Sequence, residues 1–98
     1  MALQVVVSKR AAKNLDKILA YIHSEFGENI TIKITKKVFS CIELIAEFPD
    51  VGTVEVKENG IRGFLIKRQL KIFYRVKKNR LIIINLFDTR QHPKKKLK

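Results

Sequence analysis

The sequence predicts an α+β domain of order β-α-α-β-β-β, a helical hairpin packed on one face of an antiparallel sheet. Three observations predict it. Apolar residues recur at helical spacing in two successive stretches between Ser8 and Phe48. Short β-branched and aromatic runs follow one another from Ile61 to Asp88, and glycine, proline and basic residues punctuate the junctions. At 98 residues the chain makes one domain, placed at residues 1–92, with a basic tail at 93–98 that is expected to fray.

Leu3 to Val7 is short, apolar and β-branched and reads as a first strand. Ser8 is a good cap for the helix that follows. There Ala11, Leu15, Ile18, Leu19, Ile22 and Phe26 share helical spacing, Lys13, Lys17 and Glu25 fall elsewhere, and Gly27 supplies the stop. Asn29 is a candidate cap for a second helix. Ile30 to Thr35 alternates like a strand, but Ile34, Val38, Cys41, Ile42, Ile45 and Phe48 switch to helical spacing and Pro49 closes the element. The reading is one helix from about Ile30 to Phe48, joined to the first through Gly27-Glu28-Asn29 as an antiparallel hairpin.

After Pro49-Asp50-Val51-Gly52 the chemistry turns to β. Val54 to Lys57 is a candidate short strand, and Asn59-Gly60 is a turn signal. Ile61 to Ile66, Leu70 to Val76 and Leu81 to Asp88 read as strands of a meander, separated by basic turns at Lys67-Arg68-Gln69 and Lys77-Lys78-Asn79-Arg80.

Charge is the strongest functional signal. The net charge is +12, and residues 50–98 carry fourteen Lys/Arg against four Asp/Glu, whereas residues 1–49 carry seven against five. Such an imbalance implies an acidic partner. A membrane surface would want a basic amphipathic helix, and here the excess falls on strands, so nucleic acid or an acidic protein is expected. No run reaches the ~20 apolar residues of a membrane span, and Met1 to Val7 lacks the features of a secretory signal. The single Cys41 sits on the apolar face of a helix and reads as core. The chain is expected in the cytoplasm.

Several chemistries find no residues. His23, His92 and Cys41 stand at unrelated spacing, so no metal site and no cofactor is expected. No glycine-rich phosphate loop and no nucleophile elbow is present. What remains is a set of cations. Alternation in Leu70 to Val76 puts Lys71, Phe73 and Arg75 on one face and Leu70, Ile72, Tyr74 and Val76 on the other. Lys67 and Arg68 stand at a strand end, Arg90 just past the last strand, and Lys94, Lys95 and Lys96 in the tail. Guanidinium and ammonium groups on an open sheet suit phosphates. Metal-free RNA cleavage would need charge stabilisers, for which Lys71 and Arg90 are candidates, and an acid or base, for which His92 is one. Tyr74 reads as core.

Across almost its full length the chain resembles the RelE/ParE toxin superfamily. The resemblance rests on Ser8, Ala12, Leu15, Ile18 and Tyr21-Ile22 in the first helix, Phe26-Gly27 at its end, and Ile42, Leu44-Ile45, Phe48-Pro49 and Gly52. Gly60-Ile61-Arg62, Phe73-Tyr74-Arg75-Val76 and Arg90 complete it. It implies a growth-inhibiting toxin neutralised by a cognate antitoxin whose acidic, amphipathic segment wraps it. Two branches share the fold. The RelE-like branch implies cleavage of mRNA on the ribosome, with Lys71 and Arg90 in catalytic places and His92 and Arg62 as helpers. The family's second-strand lysines then fall on Phe64 and Ile66. The ParE-like branch implies inhibition of DNA gyrase without a catalytic set, and Tyr21, Phe26-Gly27, Ile45 to Pro49 and Phe73 to Val76 look closer to it. A third reading is an inactive member that binds only its antitoxin or nucleic acid.

Overall fold

The computed structural model describes residues 2–88. The elements are β1 (Gln4–Val7), α1 (Lys9–Phe26), α2 (Glu28–Glu47), a short 3-10 turn (Pro49–Val51), β2 (Thr53–Val56), β3 (Ile61–Lys67), β4 (Leu70–Lys77) and β5 (Arg80–Asp88). The strands form one sheet in the order β1-β5-β4-β3-β2, and the helical hairpin packs on it. This is the α+β arrangement read from the sequence, with two refinements. The candidate strand after Gly52 is real and forms one edge. The other edge, β1, runs parallel to β5, pairing Gln4 with Arg80 and Val7 with Ile83, whereas every other pairing is antiparallel. The two helices cancel each other's travel, so α2 ends beside the start of the chain, where the Leu3 N–H donates to the Ala46 carbonyl.

Local chemistry fixes each helix end. Ser8 Oγ accepts from the Ala11 N–H at 3.0 Å and donates to the Ile84 carbonyl at 2.9 Å, so one hydroxyl caps α1 and ties it to β5. Asn29 is not a cap. Gly27 alone joins the helices, with φ at 88°, a conformation that favours glycine, and Asn29 lies inside the first turn of α2. The β-branched start of α2 is helical because its apolar face continues into the core at helical spacing from Ile34; its hydroxyls bond back along the helix, Thr31 Oγ1 to the Gly27 carbonyl and Thr35 Oγ1 to the Thr31 carbonyl, both at 2.8 Å.

The core lies between hairpin and sheet. Ala11, Ile18 and Ile22 from α1 and Ile34, Val38, Cys41, Ile42, Ile45 and Ala46 from α2 meet Leu70, Ile72, Tyr74, Leu81, Ile83 and Leu86 from the sheet. Burying each large aliphatic side chain contributes about 1.5–3 kcal/mol. Phe26 and Phe48 fall outside this core although their spacing fits it. Phe26 is the last residue of α1 and Phe48 the C-cap of α2, and they are 51% and 62% exposed. Burial pushes the Cys41 thiol above its ordinary pKa, partly offset by nearby Lys37, as fits a packing residue.

Tyr74 is the largest fully buried side chain. Its hydroxyl donates to the Pro49 carbonyl at 2.8 Å and accepts from the Gly52 N–H at 2.9 Å, holding the turn after α2 against the middle of β4. Tyr74→Phe leaves the buried Gly52 N–H without a partner, so a loss of about 1–3 kcal/mol in urea unfolding is expected. Burial raises the pKa of the Tyr74 hydroxyl above 10.0, opposed in part by the Gly52 hydrogen bond and Arg62. The folded state then holds this proton more tightly than the unfolded state does. Its contribution is complete below pH 10.0 and is lost as pH rises through the folded value. Wild-type stability should therefore fall more steeply than that of Tyr74→Phe in alkaline titrations monitored by urea unfolding.

Candidate target-binding surface

The alternation predicted for β4 is observed. Leu70, Ile72 and Tyr74 are buried on the helix face, and Lys71, Phe73 and Arg75 project to the outer face. The register then sorts the neighbouring cations. Arg62 pairs with Tyr74 and so shares the helix face, whereas Lys71 pairs with Leu65 on the outer one. These two proposed catalytic residues lie on opposite sides of the sheet.

Each has a structural partner. Arg62 donates to the carbonyls of Gly52 at 2.7 Å and Asp50 at 3.2 Å, and its guanidinium lies 3.5 Å from the Asp50 carboxylate. It therefore grips the same turn that Tyr74 holds. Lys71 crosses over β3 to reach β2. Its Nζ stands 2.7 Å from Glu55 Oε2 and 5.4 Å from the centre of the Phe73 ring. Gly63 makes this crossing open: a Cβ there would come within 2.6 Å of Lys71 Cε and 2.8 Å of Glu55 Oε2. Glu55 can lean inward because it sits at the irregularity between Val54 and Val56, where β2 slips against β3. The outer face thus carries an internal ion pair at its centre, beside Phe73, which is buried.

The remaining described cations of the sheet gather at the ends of its strands. Lys67 and Arg68 are exposed at the β3–β4 turn. At the opposite end Arg75, Lys77, Lys78 and Arg80, with Ile82, line a cleft of about 330 Å³. Arg90, His92, Lys94, Lys95 and Lys96, and with them the 93–98 tail, lie outside the described residues. His23 is exposed near the end of α1. Among the described residues no three His, Cys, Asp or Glu side chains come together.

Two participants went unnoticed in the sequence. Glu55 is the one acidic residue inside β2, and Gly63 interrupts the apolar run of β3. A glycine inside a strand often marks close approach by another group, and that signal was available.

Comparison with known proteins identifies the fold and the family. The model for the ParE toxin of the type II toxin–antitoxin system parDE matches residues 5–93. The chromosomal ParDE toxin–antitoxin system of P. aeruginosa contains a chain that superposes with a TM-score of 0.74 at 17% identity, over 89% of this chain and 96% of that one. The YoeB/ParE toxin from Agrobacterium tumefaciens gives 0.64 at 14% identity, over 88% and 98%. The RelBE2 toxin–antitoxin complex from Mycobacterium tuberculosis gives 0.61 at 14% identity, over 90% and 99%. At these identities the superpositions speak to fold. No curated protein sequence matches the chain. The family match covers nearly the whole domain: the chain belongs to the ParE toxin family of type II toxin–antitoxin systems.

Proposed function

We propose that this toxin arrests growth by binding DNA gyrase in the cytoplasm, without catalysing a reaction of its own. The observation that carries this reading is the separation of Arg62 from Lys71. Phosphoryl chemistry needs charge stabilisers and proton carriers converging on one reacting group. Here the two cations face opposite ways and each is already held by a carboxylate and its own strand register. Phe64 and Ile66, at the positions of the RelE-like lysines, face the apolar interior. The match to the ParE model favours the same branch. Binding would use the cations that remain unpaired, Lys67, Arg68 and Arg75 among them, continued by Arg90, Lys94, Lys95 and Lys96.

The cognate antitoxin is proposed to present an acidic, amphipathic segment that folds onto the toxin. The surface supports such a partner. Phe26, Phe39 and Phe48 are 51%, 53% and 62% exposed on the hairpin, and β1 and β2 are exposed along their lengths. No described helix is long and apolar enough to cross a membrane.

A supercoiling assay with purified, antitoxin-free protein tests the target. Inhibition near one toxin per gyrase, with trapped DNA breaks, is expected at concentrations that leave a translation extract unaffected. Untouched gyrase, together with cleaved message in the extract, would transfer the activity to the ribosome.

A further inference from the structure

We propose that the cleft at the β4–β5 turn is a phosphate-binding site that grips the backbone of a nucleic acid. Of the described residues that line it, Arg75, Lys77, Lys78 and Arg80 are cations and Ile82 is apolar. A concave wall of one sign focuses the field at its mouth. The charge there is uncompensated. Ion pairs among the described residues engage Arg62 and Lys71, not these four, and the sequence has no Asp or Glu between Gly60 and Phe87.

The register aims the groups together. Lys77 pairs with Arg80 and Arg75 with Ile82, so Arg75, Lys77 and Arg80 project on the outer face as adjacent and diagonal neighbours within about 8 Å of one another. Two guanidinium forks can take phosphate oxygens bidentately, with lysines as point charges beside them.

The turn brings a further cation to the cleft. Lys78 has φ at 58°, and among the described residues it alone has a positive φ without being a glycine. Asparagine or glycine relaxes such a position, and Asn79 stands one place too late to do so. The two-residue loop between Lys77 and Arg80 requires such a φ, and it places Lys78 in the lining of the cleft. The occupant follows from the lining. An acidic polypeptide would bury apolar side chains at the centre of its contact, and among the described residues the cleft offers only Ile82. Charge with forks and little apolar floor suits phosphodiesters. The site stands whether the toxin's target is gyrase or the ribosome.

Binding of a short labelled DNA duplex to the full chain, measured by fluorescence anisotropy across a salt series, tests the site. Arg75→Gln with Arg80→Gln should weaken binding by about tenfold or more and make the salt slope shallower by about 2, as expected for two lost phosphate contacts. Lys67→Gln with Arg68→Gln removes the same charge at the other end of the sheet and should cost less than about threefold. Lys78→Asn should weaken binding while holding or raising the urea midpoint, an outcome a purely structural turn residue would not give. Equal losses in the two double variants would overturn the site in favour of diffuse charge. Absence of wild-type binding at low salt would overturn it as well. Competition by polyglutamate at charge concentrations equal to DNA phosphate would replace it with an acidic-polypeptide site.

Discussion

The fold turns on one phenol. Tyr74 sits in the middle of the central strand with no exposed surface, and its hydroxyl joins the sheet to the turn that ends the helical hairpin. A buried hydroxyl is costly unless both its donor and its acceptor capacity are met, and here the Pro49 carbonyl and the Gly52 N–H meet them. Burial of the ring and satisfaction of the hydroxyl are possible together in one register only. A slip of one residue between β3 and β4 would carry Tyr74 to the outer face and Lys71 into the core.

That register also decides what the cations can do. With Tyr74 inward, Arg62 is inward too and binds the same turn from its other side, while Lys71 is outward and spans β3 to Glu55. Both are part of the framework before any partner arrives. The free charge is displaced to the strand ends, above all to the β4–β5 turn, where the sheet opens into a cleft. A protein built this way offers its partners charged strand ends on the sheet and, on the opposite side, exposed helix aromatics.

Much of this was legible in the residues because local and tertiary demands agree. Ser8 caps where it should, β4 alternates as its apolar positions require, and Cys41 and Tyr74 are core residues as their spacing implies. Where the reading departed, a distant element decided. Phe26 and Phe48 keep helical spacing to the last turn of their helices, and spacing alone does not show where burial ends. Asn29 lost the cap to Gly27 because a one-residue joint already closes the hairpin. Lys71 read as a free cation because its partner comes from two strands away, at a β irregularity with no signature in β4 itself. The gathering of Arg75 with Lys77, Lys78 and Arg80 was visible only as crowding at a strand end until the register placed them round one cleft.

The central claim is that Lys71 and Arg62 hold the fold and cut nothing. Mapping mRNA 5′ ends in cells arrested by this toxin, against cells arrested by a gyrase-poisoning drug, tests it most directly. The account predicts the same ends in both. Discrete new ends within translated messages, abolished by Lys71→Ala in a variant that still folds, would contradict it.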